Sequence, residues 1–345
     1  MHCGTCNIMS DVEQHGAVLI DLSAAIINLR EDEPVCCLVG GQDGLPKRLP
    51  FGPFFPPEHR TMEIGLRQWV REQVGVGLGH VEQLYTFGDR GRHLSPQLDR
   101  DHVVSVGYLA LTRFVQTENN EIDASNVQNN ERQWGRIYEF FPFEDWRNGR
   151  PAIIDSVLLP AIKDWCFHIP DENLRAEKER RVSIAFGTLK NNWDEELVLE
   201  RYELLYEAGL VPEALTDERI EKYHASSIND NPTILGKPLQ LDHRRILATA
   251  LGRLRGKMKY RPVIFDLVPK LFTLGQLQAA SEAVLGVSLH KQNFRRMTEK
   301  SNMLESTGKI ARARGRPAEL FCLRQGARLE GTYSGLRVPI GRNKT

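Results

Sequence analysis

The sequence predicts an α+β (α/β) fold, with a mixed β-sheet and helix sandwich at the N-terminal end and a winged helix-turn-helix at the C-terminal end. Three observations carry that expectation. The first half holds several short apolar, β-rich runs with one helix-period segment among them. The last third holds two helical patterns joined by a glycine turn and followed by a basic hairpin pattern. The charge balance reverses between these parts. At 345 residues the chain is long enough for about two domains, each with its own core.

In the first half, stretches 18–29 and 34–39 flank the polar turn Arg30-Glu31-Asp32-Glu33, which is a hairpin pattern. After the turn-rich segment 40–57, stretch 61–74 places Met62, Leu66, Trp69, Val70 and Val74 near helical spacing, and Gly75 stops it. Segments 82–87, 103–114 and 136–141 read as further strands, 153–167 as a helix and 119–130 as a polar connector.

The middle reads as connection and dimer surface. Segment 172–181 is a highly charged helical run, and 193–208 is a helix that Asn192 caps with Glu195 completing a capping box. Leu197, Leu199, Tyr202, Leu204, Leu205 and Tyr206 are too many apolar residues for a lone exposed helix, so this segment packs on the first domain or on a second subunit. Segment 216–238, with Asn229-Asp230-Asn231-Pro232 inside it, reads as a linker, and a basic helix over 242–258 leads into the last domain.

The whole chain is neutral, with 45 Lys+Arg and 45 Asp+Glu, but residues 241–345 carry 21 Lys+Arg against 7 Asp+Glu, which is +14 there and −14 before it. Clustered basic charge gains affinity for nucleic acid by counterion release, whereas an acidic body is held away from phosphates. Within this part, Leu274, Leu277, Ala280, Val284 and Leu285 keep helical spacing and Gly286 ends the run; a tight connection then starts a second helix near His290. That helix keeps Phe294 and Met297 for a core and leaves His290, Lys291, Asn293, Arg295 and Arg296 polar, a composition suited to the major groove. Segment 308–323 reads as two short strands around Arg312-Ala-Arg-Gly-Arg-Pro317, a wing whose Arg312, Arg314 and Arg316 suit phosphate or minor-groove contact. Thr273 stands at the head of the first helix and completes the candidate DNA-contacting set.

The first half resembles the Nudix fold, whose motif is G-x5-E-x7-R-E-U-x-E-E-x-G-U with U a bulky apolar residue. With Gly75 on the last glycine, Val76 and Val70 match the apolar positions and Glu72 the first paired glutamate, but Gln73 replaces the second. Trp69 and Gln68 replace the R-E pair, with Arg67 one residue earlier; Gly52 and Glu58 keep the front spacing if the loop between is two residues longer. A Nudix hydrolase uses several carboxylates on one helix to hold Mg²⁺. Glu72 alone cannot do that, so the expectation is no catalytic residue, no metal and no catalytic cofactor. The rival expectation is a Mg²⁺-dependent hydrolase of a nucleoside diphosphate derivative with an accessory DNA-binding domain.

Two further stretches sharpen the resemblance. Leu84-Tyr-Thr-Phe-Gly-Asp-Arg-Gly-Arg92 with the strand after it, and the order Phe-Thr-Leu, Asn-Phe-Arg-Arg, Gly-Arg-Pro-Ala in the last third, resemble Nudix-related regulators of NAD metabolism of the NrtR/NadQ type, most like NadQ. The resemblance implies a homodimeric repressor of NAD biosynthesis genes. It would bind double-stranded operator DNA through the winged helix and an adenine nucleotide effector (ADP-ribose, NAD or ATP) in the Nudix part. The candidate effector residues are Lys47, Arg48, Phe51, Phe54, Arg67, Glu72, Tyr85, Phe87, Asp89, Arg90 and Arg92: guanidinium groups for a diphosphate, aromatic rings for a base. Lys47 and Arg48 precede Leu49-Pro50-Phe51-Gly52, which resembles the family's L-P-G-G-F loop except that Phe51 replaces its first glycine.

The expected division is 15–168 for the degenerate Nudix-like domain, 169–258 for a helical connecting and dimerisation region, 259–325 for the winged helix and 326–345 for a basic tail. No run approaches the ~18 apolar residues of a membrane span, and the N-terminus lacks a secretory pattern, so a cytoplasmic protein is expected. Six scattered cysteines fit reduced thiols; Cys3 and Cys6 form one CxxC without the second pair a structural zinc needs.

Overall fold

The computed structural model describes residues 18–41, 45–89, 102–113, 133–189, 192–216, 231, 233–311 and 317–327. The first half is a mixed sheet built from β1 (Val18–Arg30), β2 (Glu33–Leu38), β3 (Phe51–Pro53), β4 (Val81–Phe87), β5 (His102–Leu111) and β6 (Gln133–Arg136). Its order is β4-β5-β1-β2-β6, with β3 also pairing β1. Strand β1 runs parallel to β5, in register from Val18↔His102 to Ile27↔Leu111, and antiparallel to β2 and β3. The hairpin expected around residues 30–33 is present: Glu31 and Asp32 both take positive φ, the backbone that a tight two-residue turn demands.

Side chains alternate along β1, so both faces of the sheet are covered. Leu22, Ala24 and Ile26 join a core with Leu66, Val70 and Val74 of α1 (Met62–Val74). Each of the buried Leu, Ile and Val side chains contributes about 1.5–3 kcal/mol. Thr61 caps α1 by accepting the Ile64 N–H at 3.2 Å, and Gly75 in the left-handed region ends it. On the other face, Ala25 and Ile27 join Ile246, Leu247 and Ala250 of a helix from much later in the chain, α6 (His243–Met258). Between them come α2 (Ile137–Phe140), α3 (Leu159–Phe167), α4 (Glu172–Ala185) and α5 (Val198–Glu207). The last third is α7 (Leu274–Leu285), α8 (Lys291–Lys300) and the two-stranded sheet of β7 (Leu304–Ala311) and β8 (Ala318–Leu323).

Several expectations need correction. Segment 136–141 is not a strand: pairing ends at Arg136, and Ile137–Phe140 turns into a short helix. A short apolar run does not distinguish the two, and burial of Ile137, Tyr138 and Phe140 decided for helix. The helix expected over 153–167 opens as one wide π turn at Ile154–Leu158, ahead of Pro160, which has no N–H for the usual bond four residues back. The helix expected from 193 starts only at Val198 and has no side-chain cap; Glu195, expected in a capping box with Asn192, is instead buried against Lys259 at 2.9 Å. The basic helix α6 does not offer all its charge to solvent, since Arg244 and Arg255 are fully buried. The first wing strand begins at Leu304, four residues before the expected start. The polar connector 119–130 and most of the linker 216–238 lie outside the described residues.

Candidate functional site

At the degenerate motif on α1, the residues that replaced carboxylates hold strand β3. The Trp69 indole lies so close to Gly52 that a Cβ there would sit 2.3 Å from the ring, and its Nε1–H donates to the Pro53 carbonyl at 2.9 Å. Gln73 grips the Phe51 backbone from both sides, accepting its N–H at 3.2 Å and donating to its carbonyl at 2.6 Å. Glu72 is exposed and, among the described residues, accepts from the Gln68 amide at 2.9 Å. Arg67 turns away from β3 to Glu63 at 2.9 Å and the Leu78 carbonyl at 3.1 Å. This donor set does not fit the divalent cation that the Nudix motif implies: one isolated carboxylate remains, and an indole and an amide occupy the other positions. Among the described residues, the one group of three clustered acids is Asp194, Glu195 and Glu196, far along the chain and already neutralised in part by Lys259.

A second polar cluster forms where the first turns of α6 meet the other face of the sheet. His243 is buried; its Nδ1 accepts the Leu49 N–H at 3.0 Å, so the ring proton resides on Nε2, which faces the Ser23 hydroxyl at 3.5 Å. Ser23 and Ser105 hydroxyls lie 3.0 Å apart. Phe51 meets the His243 ring edge-on at 5.3 Å, and the Arg48 guanidinium lies 4.8 Å from the Phe51 ring. Lys47 donates to Gln133, and its carbonyl accepts the Gln240 N–H at 2.9 Å. Arg245 lies over Phe87 at 5.3 Å and pairs with Asp89 at 2.6 Å. Asp21, half-buried on the same face of β1, has its carboxyl raised above the ordinary value by burial.

The structure thus brings Lys47, Arg48, Phe51, Phe87 and Asp89 together around the start of α6. Tyr85 is exposed, with Arg253 5.8 Å from its ring, and Phe54 stacks on His59 at 6.0 Å beside α1. Arg67 and Glu72 are not part of the cluster, and Arg90 and Arg92 lie outside the described residues. Sequence reasoning missed His243, Arg245, Ser23, Ser105 and Gln240. His243 meets Leu49 and Ser23 across 194 and 220 residues, and Arg245 meets Asp89 across 156; the one local contact, Arg245 with Asp242 at i,i+3, does not mark a site.

In the last third, Thr273 caps α7 in a full capping box, accepting the Gln276 N–H at 3.2 Å while the Gln276 side chain accepts the Thr273 N–H at 2.8 Å. Gly286 ends α7 with φ +68°. Glu282 and Gln278 fasten the turn to the next helix by taking the Leu289 N–H at 2.8 Å and giving to its carbonyl at 2.9 Å. Helix α8 buries Phe294 and Thr298 and leaves Lys291, Asn293, Arg295 and Arg296 exposed, with His290 exposed just before it. Hairpin β7–β8 pairs from Leu304↔Leu323 to Ala311↔Ala318. Thr273, by contrast, has its hydroxyl engaged in the cap, and Arg312, Arg314 and Arg316 lie outside the described residues.

A mixed sheet with a Nudix-type helix on one face, followed by a helix-turn-helix and its hairpin, defines a protein with a Nudix-like domain and a C-terminal winged helix domain. Residues 264–323 match the family of NrtR DNA-binding winged helix domains. A curated relative, the ADPR responsive transcriptional repressor NtrR of Acinetobacter baylyi, is 40% identical over 83 residues, which is 24% of this chain and 33% of that relative's length. The match therefore spans about a third of that relative. Among solved structures, Shewanella oneidensis NrtR complexed with a 27mer DNA aligns over 92% of this chain and 98% of its own with a TM-score of 0.52 at 19% identity. A second structure of Shewanella oneidensis NrtR aligns over 93% of this chain and 99% of its own, also with a TM-score of 0.52. The fold expected from the sequence is borne out, and so is the resemblance to the Nudix-related NrtR-type regulators. No helix among the described residues is long and apolar enough to cross a membrane.

Proposed function

We propose that this chain is a transcriptional repressor. It binds double-stranded operator DNA through α8 and the wing, and an adenine nucleotide in its Nudix-like domain alters that binding. The observation that carries the reading is the exposed basic and amide face of α8 within a domain that matches the NrtR DNA-binding winged helix family. His290, Lys291, Asn293, Arg295 and Arg296 supply the major-groove and phosphate contacts, and Arg312, Arg314 and Arg316 those of the wing. ADP-ribose is the first effector to test, since the A. baylyi relative is described as ADPR responsive; NAD and ATP are the alternatives.

The effector site proposed is the cluster at the start of α6, with Lys47, Arg48, Phe51, Phe87 and Asp89 around it and Arg90 and Arg92 supplying diphosphate contacts. The chain is a sensor rather than an enzyme, because α1 retains one motif carboxylate, Glu72, and uses Trp69 and Gln73 to secure β3. The resemblance supplies the rest of the proposal: a cytoplasmic homodimer that places two winged helices on successive turns of a palindromic operator upstream of NAD biosynthesis genes, with the nucleotide causing release. Fluorescence anisotropy with labelled promoter duplexes at physiological salt, with and without ADP-ribose, NAD and ATP, tests it. Saturable binding to one promoter duplex that one nucleotide weakens is the expected result; equal binding to all duplexes in every condition overturns it.

A further inference from the structure

The winged helix is not hung on a free linker. The last carbonyls of a helix have no partner within it and need one from outside. At the end of α7 those partners come from the other parts of the molecule. The Tyr138 hydroxyl donates to the Ala283 carbonyl at 2.6 Å, and Arg255 Nε donates to the Val284 carbonyl at 3.0 Å. The Trp146 N–H donates to the Gly286 carbonyl at 2.6 Å, and the Ser288 hydroxyl to the Arg147 carbonyl at 2.6 Å.

Arg255 itself is held by a buried charge cluster. Glu144 takes Arg255 at 2.5 Å and Arg201 at 2.5 Å, and all three side chains are fully buried. Arg255 also donates to the Glu195 and Glu144 carbonyls at 3.0 and 3.2 Å. Arg201 completes the cluster, with its guanidinium 3.8 Å from the Trp193 ring and bonds to the Ala185 and Asp194 carbonyls. Such a cluster adds little net stability, but it fixes one arrangement of the groups it joins.

Both ends of this device lie on α6. His243 and Arg245, in its first turn, belong to the polar cluster against the sheet, and Arg255 lies about 15 Å further along at 1.5 Å per residue. From α7, the Glu282 and Gln278 bonds to Leu289 pass position on to α8. We propose that Arg255, held by Glu144 and donating to the Tyr138 hydroxyl at 3.4 Å, is the positioning residue through which effector occupancy at the start of α6 sets the placement of α8. This rests on the functional reading above, and adds to it the route of the signal.

The test uses the full chain and compares the duplex Kd with and without saturating ADP-ribose in the wild type, Arg255→Lys and Tyr138→Phe. Lysine keeps the charge but loses the fork that reaches Val284 and Glu144 together. Wild type is expected to show a ratio of ~5–150-fold. Arg255→Lys is expected to bring that ratio within ~2-fold of unity, and Tyr138→Phe to lower it in part, while ADP-ribose titrated without DNA binds each variant as it binds wild type. A merely structural role would not separate the ratio from the individual affinities. A folded Arg255→Lys that keeps the wild-type ratio overturns the proposal, as does one that also loses ADP-ribose binding. If Arg255→Lys fails to fold, an unchanged ratio in Tyr138→Phe overturns it instead. A wild type that binds no duplex or no nucleotide removes the functional reading itself, whereas a coupled wild type with equally coupled variants removes only this route.

Discussion

Gly286→Ala should weaken the protein far more than a one-methyl change ordinarily does. Gly286 holds φ +68°, where an alanine is disfavoured by about 1–2 kcal/mol. The added Cβ would also meet the Glu144 carbonyl oxygen at 2.4 Å, the Arg255 guanidinium at 2.8 Å and the Tyr138 hydroxyl at 2.9 Å. The first of these is backbone and cannot swing aside; moving it disturbs the two guanidinium groups that converge on Glu144. Overpacking of this kind costs about 1–3 kcal/mol, so the two effects together predict a loss of about 2–5 kcal/mol. Gly77→Ala is the control: nothing lies within 4 Å of its added Cβ and its φ is not positive, so a change within ~0.5 kcal/mol is expected. Urea unfolding of the full chain, followed by far-UV circular dichroism, gives both values. A Gly286→Ala midpoint that matches the wild type at equal m would mean that the carbonyl and the clamp move freely, and that Gly286 is not held between them.

Three other outcomes follow from the same geometry. Arg296→Ala removes an exposed guanidinium from α8 and should lower the slope of log K against log salt by ~0.9 if it contacts one phosphate, read by anisotropy at several salt concentrations; an unchanged slope places Arg296 off the backbone. Asp21→Asn tests the buried carboxyl. Its pKa is raised in the fold, so its favourable contribution is full below the unfolded value of 3.8 and is lost as pH rises through the folded pKa; the variant should match wild type in acid and melt higher at neutral pH, and a pH-independent difference in Tm would contradict this. Wild-type protein with Mg²⁺ and ADP-ribose should release no AMP above a blank by chromatography, because Trp69 and Gln73 stand where carboxylates are needed; turnover that disappears in Glu72→Gln would restore the hydrolase reading.

The parts of the fold that could be read from the sequence are those specified within a few residues. The hairpin at Glu31-Asp32, the helix from Thr61 to Gly75 and the two helices either side of Gly286 each carry their own periodicity and their own stop. The motif substitutions at Trp69 and Gln73 were legible as losses of charge, but not as the braces for β3 that they are, because the bonds to Phe51 and Pro53 cross 16 to 22 residues. The deeper misreading concerned α6. Its arginines look like surface charge, yet Arg255 is answered by Glu144 at a separation of 111 residues and Arg201 by the same carboxylate at 57. A lone buried guanidinium would be prohibitively costly, and only the tertiary fold shows that these two share a counter-ion. The same holds for His243, whose tautomer is set by a backbone N–H 194 residues earlier.

The central claim is that one chain couples a nucleotide to operator binding, and linkage gives it a direct test. ADP-ribose is titrated into the free protein and into the protein saturated with its promoter duplex, and the ratio of the two dissociation constants is compared with the ratio of duplex affinities measured with and without ADP-ribose. The two ratios are expected to differ from unity and to equal each other, since the coupling free energy is the same read from either side. An ADP-ribose affinity that is identical in the free and DNA-bound protein would contradict it.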